Sequence, residues 1–299
     1  MFIKPPYLKK GDTIAIAATA RKVSPEDLQF AISFIEKKGF KVVLAKNIYS
    51  LFHQFAGEDI VRAEAFQELI ERKDIQAILI ARGGYGTVRI IDRIDFTPLK
   101  KYPKWICGFS DITVLHAHLF QLGVQSVHST MPVLFHQSLE ATDSLFKILR
   151  GEKINYFIPW HPLNREGECS GTLVGGNLSV LYSLNGSVSQ LNFEDKILFM
   201  EDVDEYLYHI DRMVMQLKRA GVLMRLKGLI VGGFTDMKDN TIPFGKTAEE
   251  IIYDAVKEYD YPVCFNFPAG HIKDNYAFIH GGNIRLKVKK GGVEVEWLE

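Results

Sequence analysis

The sequence predicts an α/β protein of two domains, an N-terminal one built on a parallel sheet and a smaller C-terminal one of mixed α/β character. Three observations predict it. Over the first half, short aliphatic runs alternate with segments whose apolar residues recur at helical spacing, the pattern of parallel strands covered by helices on both faces. Near residues 150–170 that rhythm breaks in "RGEKINYFIPWHPLNREGEC", with Pro159, Pro162 and scattered polar residues. A chain of 299 residues also exceeds what one hydrophobic core ordinarily organises. The expected boundaries are residues 1–150 for the N-terminal domain, 151–169 for a linker and 170–299 for the C-terminal domain.

The elements follow in order. "DTIAIAATA" (12–20) reads as a buried strand; Ser24 and Pro25 then open a helix whose Leu28, Ala31, Ile32 and Ile35 share one face, and Gly39 ends it. A strand at 41–45, a helix from Gly57 to about Arg72, a strand at 75–81, a helix after Gly86, a strand at 105–109 and a helix from Asp111 continue the alternation. Beyond the break, "KILFMEDVDE" (196–205) reads as a strand ending in acids, and the next helix sets Leu207, Ile210, Val214 and Leu217 on one side. Strands at 226–234 and 262–268, a helix at 247–259 and a terminal hairpin over 283–299, turning at Gly291 and Gly292, complete the chain.

Composition removes several classes of function. Hydrophobic residues make up 47% and charged residues 24%, as in ordinary globular proteins, so most of the length should pack into ordered cores. Lys plus Arg and Asp plus Glu balance at 36 each with no basic run, which removes the electrostatic drive for nucleic-acid binding. No run approaches the roughly 20 apolar residues of a membrane helix, and "MFIKPPYLKKGD" has no signal-peptide core, so the expectation is a cytoplasmic protein with no membrane partner. Cys107, Cys169 and Cys264 are too dispersed for a disulfide framework or a zinc knuckle and read as free thiols.

Three places have the makings of chemistry. In "KWICGFSDIT" (104–113) a strand runs through Gly-X-Ser into a helix, as in a nucleophile elbow, where a sharp turn lifts a hydroxyl above the sheet edge. Helix capping is the competing reading of Ser110. In "ARGGYGTVRI" (81–90) the glycines let the backbone approach a ligand with its N–H groups available; Arg89 stands where a dinucleotide fingerprint needs its third glycine, and no Gly-Lys-Ser/Thr follows. The third place combines the acids of "MEDVDE" (200–205), where one carboxylate can turn inward, with His271 in "AGHIKDN" (269–275). No His or Cys near those acids completes a metal set, so neither metal nor cofactor is expected. Together the three supply what acyl transfer requires: a hydroxyl, an imidazole to take its proton, a carboxylate to orient the imidazole, and backbone amides for an oxyanion.

In "LKKGDTIAIAATA" near the start, "ARGGYG" at 81–86, "CGFSD" at 107–111, "GGNLS" at 175–179, "FMEDVDE" at 199–205 with "IDRM" at 210–213, and "AGH" at 269–271, the chain resembles the LD-carboxypeptidase family of serine peptidases over nearly its whole length. The resemblance implies a flavodoxin-like or amidotransferase-like N-terminal domain, a smaller C-terminal α/β domain and an active site in the cleft between them. It carries the nucleophile to Ser110, the triad carboxylate to Glu201 and the base to His271, with an oxyanion hole at the backbone amides of Gly84 and Asp111, whose side chain remains available to cap the following helix. It further implies a murein tetrapeptide as substrate, with terminal D-alanine released during cell-wall recycling, and a homodimer. Where many relatives have an apolar residue, this chain has His280, which could touch the cleft rim.

Arg82 is the candidate for binding the substrate carboxylate, the alternative being a structural ion pair; Asn177 is a substrate hydrogen-bond donor or a turn residue. Rival functions are a microcin-immunity-type hydrolysis of aminoacyl-nucleotides, a non-catalytic ligand-binding protein on the same fold, and a thiol amidotransferase using Cys107. The last would need a reactive thiolate inside a strand, where burial raises its pKa.

Overall fold

Alternation of buried aliphatic runs with capped helices gives the first half its structure. In the computed structural model, which describes residues 2–298, β1 (Thr13–Ala17) is buried throughout and leads to α1 (Pro25–Lys37). That helix starts at Ser24 because Ser24 Oγ accepts from Asp27 N while the Asp27 carboxylate accepts from Ser24 N at 2.8 Å, a reciprocal box with Pro25 in the first turn. Next come β2 (Lys41–Leu44), α2 (Asp59–Glu71), β3 (Ile75–Ile80), the single turn α3 (Pro98–Lys101), β4 (Trp105–Gly108), α4 (Thr113–Gln121), β5 (Ser126–His128) and α5 (Leu139–Leu149). Strands β2, β1, β3, β4 and β5 lie side by side in that order and all parallel.

The helix expected after Gly86 is absent. Thr87–Arg89 and Ile91–Arg93 form two short 3-10 turns instead. The apolar residues there, Ile90, Ile91, Ile94 and Phe96, are all buried but follow no helical stripe, and Asp95 turns back to cap Thr97 N before Pro98.

The second half continues with β6 (Asn155–Ile158), β7 (Gly167–Asn177), α6 (Leu178–Ser183), β8 (Lys196–Val203), α7 (Leu207–Arg219), β9 (Gly228–Thr235), α8 (Ala248–Val256), β10 (Val263–Cys264), β11 (Phe278–His280), β12 (Asn283–Lys289) and β13 (Gly292–Trp297). A seven-stranded sheet runs β10-β9-β8-β7-β12-β13-β6, parallel from β10 to β7 and antiparallel beyond. The final hairpin pairs Lys289 with Gly292, so its two-residue loop is Lys290 and Gly291.

The chain divides into two compact units. One holds the residues up to Glu152 together with Lys273–His280; the other holds Lys153–Ile272 and the residues from Gly281 onward. Residues 151–169, expected as a linker, contain β6 and the start of β7, and Pro159 and Pro162 punctuate the turn between strands rather than a hinge between domains. Residues 273–280, expected in the C-terminal domain, carry β11, which closes the first sheet antiparallel to β5. His280 is therefore no rim residue: it is fully buried in β11 opposite Ser126, and its ring stacks on His116 at 5.4 Å. Among the described residues no helix is long and apolar enough to cross a membrane.

Candidate active site

In the first unit, β4 delivers the chain to Ser110 through an extended Phe109. Ser110 has φ of 64°, in the left-handed region that a residue with a Cβ enters at a cost of about 1–2 kcal/mol. Such a strained turn between strand and helix is the geometry of a nucleophile elbow. The cap position of α4 is Ile112, which brings no side-chain cap. Asp111, expected to cap that helix, instead sends its buried carboxylate to Thr87 N at 2.9 Å. Burial pushes the Asp111 carboxyl up, against hydrogen bonds from Thr87 and Gly86 and the charge of Arg62, which hold it down.

The Thr87 bond ties the elbow to the glycine loop that leaves β3. Gly83 lies so close to the nucleophile candidate that a Cβ there would stand 3.2 Å from Ser110 Oγ. Thr87 Oγ1 also shares a hydrogen bond of 2.9 Å with Thr19 Oγ1. Behind the loop sits Arg62 of α2, fully buried, a site for a cation only because every side of its guanidinium is used. It donates to the carbonyls of Thr19, Gly57 and Gly86, pairs with Asp59 and lies 4.8 Å from the Phe55 ring. One side chain thus fixes the loops after β1 and β3 relative to α2. No apolar pattern or motif in the sequence marked Arg62.

Beneath the elbow lie histidines that do structural work. His116 Nε2–H donates to Gly108 O at 2.9 Å and Nδ1 accepts from Ser126 Oγ at 2.8 Å, while burial pushes its pKa down to about 4 and keeps it neutral. His128 stacks on Phe278 and meets Asn275 Oδ1 through Nε2 at 3.1 Å. Cys107 is buried in β4, and burial raises its thiol far above the range of a reactive thiolate, which removes the physical basis for thiol chemistry.

In the second unit, β7 and β8 run parallel with Asn177 beside Glu201, both at the carboxyl ends of their strands, where open α/β sheets bind ligands. Glu201 is fully buried, and its Oε2 accepts from His271 Nδ1 at 2.6 Å and from His271 N at 3.0 Å. Because a carboxylate only accepts, Nδ1 carries the proton and the basic lone pair belongs to Nε2. Gly270 makes this approach possible: its φ is 108°, and a Cβ would fall 2.7 Å from both Glu201 Cβ and Oε2. The loop is secured again by Thr235 Oγ1, which donates to His271 O at 2.8 Å. Burial lowers the His271 pKa, but the Glu201 charge and hydrogen bond, with a further contribution from Asp202, outweigh it and leave it raised.

Of the acids in 200–205, two turn inward rather than one. Asp202 is buried and accepts from Asn177 Nδ2 at 2.8 Å, Ser179 N at 2.8 Å and Val203 N at 2.9 Å; burial first and Glu201 second push it up to about 7. Asp204 pairs with Lys238 and Glu205 with His209, outside this group. Asn177 caps α6, its Oδ1 accepting from Val180 N while its amide holds Asp202, an arrangement that places it as a turn and capping residue. Arg82 is exposed on the glycine loop and forms no ion pair with a described residue.

Residues 14–129 match the model of the LD-carboxypeptidase N-terminal domain and residues 170–286 that of the LD-carboxypeptidase C-terminal domain. The chain is 32% identical over 311 residues to a probable murein peptide carboxypeptidase of Bacillus subtilis, covering 98% of this chain and 94% of that one. It is 26% identical over 282 residues to a murein tetrapeptide carboxypeptidase of Pseudomonas aeruginosa, covering 90% and 91%. The crystal structure of muramoyltetrapeptide carboxypeptidase from Oxalobacter formigenes superposes with a TM-score of 0.88 at 27% identity, over 96% of this chain and 99% of that one. The chain belongs to the LD-carboxypeptidase family, and with it to the serine-type carboxypeptidases.

Proposed function

We propose that the protein removes the terminal D-alanine from murein tetrapeptides through a Ser110-His271-Glu201 triad, in the cytoplasm, as a step of cell-wall recycling. The observation that supports the triad most directly is the His271 pair with Glu201: one buried carboxylate oxygen takes both N–H groups of a single histidine and leaves its other ring nitrogen basic. The strained backbone at Ser110 supports the assignment of the nucleophile. The substrate class comes from the relatives, whose names specify murein peptides.

In this reading His271 Nε2 takes the Ser110 proton as Oγ attacks the carbonyl carbon of the bond to the terminal residue. The tetrahedral oxyanion is met by backbone N–H groups of Gly84 and Asp111, each contributing about 3 kcal/mol in such sites. The imidazolium, stabilised by Glu201, returns its proton to the amine of the departing D-alanine. Water then attacks the acyl-enzyme, giving its proton to His271, and Ser110 leaves protonated with the tripeptide acid released. A cation must hold the free carboxylate of the substrate; the sequence suggested Arg82, on the glycine loop.

The test is incubation of the purified protein with disaccharide tetrapeptide, read by mass spectrometry for loss of one alanine. Wild type should release it, and Ser110→Ala should lose roughly 10⁴- to 10⁶-fold in kcat. Turnover of Ser110→Ala at the wild-type rate would end the serine assignment. Cleavage of an aminoacyl-nucleotide in place of the tetrapeptide would replace the substrate but keep the triad.

A further inference from the structure

We infer that Arg21, a residue outside every motif of the family resemblance, is the group that reads the free carboxylate of the substrate; the inference rests on the proposed carboxypeptidase reading and assigns its specificity. Arg21 lies in the loop after β1, and its backbone is pinned from both sides. It bridges to Phe55, Lys22 N donates to Gln54 O at 3.0 Å, and Ala56 N donates to Ala20 O at 3.1 Å. The side chain therefore departs from a fixed point and crosses the glycine loop. At Gly84 a Cβ would stand 2.5 Å from Arg21 Cδ and 2.7 Å from Arg21 Nε, so only glycine admits the guanidinium so close to this loop.

The adjoining residue of the same loop, Gly83, abuts the Ser110 hydroxyl. Joining those two close approaches by one Cα–Cα step of about 3.8 Å puts Arg21 Nε no more than about 13 Å from Ser110 Oγ. The leaving residue of a carboxypeptidase substrate spans about 3.5 Å from the attacked carbonyl to its own carboxylate. With about 3 Å for the attacking oxygen and about 4 Å for a bidentate pair, the guanidinium belongs roughly 10 Å from Oγ, within that limit.

Charge points the same way. Arg62, Arg72, Arg89, Arg150 and Arg285 each pair with a carboxylate of this chain, whereas Arg21, like Arg82 on the glycine loop, pairs with none among the described residues; what sets Arg21 apart is its anchored backbone and its passage over Gly84. Arg21 is exposed, and no carboxylate of a described residue lies within ion-pair distance of it. An anchored, uncompensated guanidinium laid across an amide-lined loop beside the nucleophile is built for a planar anion. In an enzyme that releases a C-terminal residue, that anion is the terminal carboxylate.

The experiment compares kcat/KM on two peptides that differ only in ending as D-alanine or D-alaninamide, for wild type, Arg21→Gln, Arg21→Lys and Arg82→Gln. Wild type should prefer the acid. The preference should fall roughly 10- to 100-fold in Arg21→Gln, recover in part in Arg21→Lys, and persist in Arg82→Gln. A wild-type preference that survives in Arg21→Gln overturns the inference, as does its collapse in Arg82→Gln alone. Loss of activity by Arg21→Gln on both peptides by one factor, with melting temperature unchanged, would give Arg21 a positioning role and also overturn it. A wild type inert on both peptides refutes the proposed function itself, and the specificity assignment with it.

Discussion

Ser110 should make the protein less stable than a glycine in its place would. With φ of 64°, any residue carrying a Cβ stores about 1–2 kcal/mol at this position. Glycine escapes that strain but gives up roughly 0.5–1 kcal/mol more chain entropy on folding. Comparing Ser110→Gly with Ser110→Ala removes the hydroxyl from both and isolates the backbone term. The difference should leave the glycine variant ahead by about 0.5–1 kcal/mol, or a melting temperature higher by a few degrees for a unit of this size. Differential scanning calorimetry or urea midpoints would measure it, with the tetrapeptide assay run alongside. Both variants should be inactive, so stability and turnover move in opposite directions from wild type in Ser110→Gly. If Ser110→Ala melts at or above Ser110→Gly, the elbow is not strained and the backbone argument for the nucleophile fails.

Three further outcomes follow from the same geometry. Because Glu201 holds the His271 pKa above its ordinary value of about 6.5, kcat/KM should fall as the pH drops through a value above 6.5; Glu201→Gln should shift this limb toward lower pH while costing up to about 10⁴-fold in kcat, and an unmoved limb would separate the two residues. Asp202 titrates near 7 in the fold and near 4 when unfolded, so its neutral form favours the native state at low pH and that contribution is lost as the pH rises from about 4 through 7; the stability gap between wild type and Asp202→Asn should change by roughly 4 kcal/mol across that window in urea titrations, and parallel curves would refute it. Arg62→Met removes a donor from three loop carbonyls and leaves Asp59 with Arg89 alone, and it should destabilise the first unit by about 2–4 kcal/mol with a fall in kcat, whereas an unchanged urea midpoint would show that the guanidinium does not hold the glycine loop.

The helices that carry their own signals were legible. Ser24 with Asp27 and Pro25 starts α1, Thr247 with Glu250 starts α8, and the apolar stripe of α7 buries Ile210, Val214 and Leu217 as its spacing predicts. What escaped the sequence depends on partners far along the chain. Residues 273–280 have no periodicity to tell which sheet they join; Phe278 and His280 are recruited by β5, and the buried histidine stack forms only once β11 has returned to the first unit. The same holds for β6, a four-residue strand among prolines whose place is set by pairing with β13.

The site divides along that line. The serine, glutamate and histidine of the proposed triad stood out because chemistry restricts which residue types can do such work. The residues that aim them did not, because a brace is defined by contacts rather than by type. Arg62 looks like one more charge on a helix, and Asp111 like a cap, until Gly86 and Thr87 are brought against them. Arg21 has no local pattern at all; its meaning lies in the bare surface of Gly84, which sequence shows only as a glycine and structure shows as the space an arginine crosses. Braces of this kind accept other residue types so long as the same carbonyls and amides are held, which is why motif-based reading finds the reacting groups of a hydrolase before the groups that set its substrate.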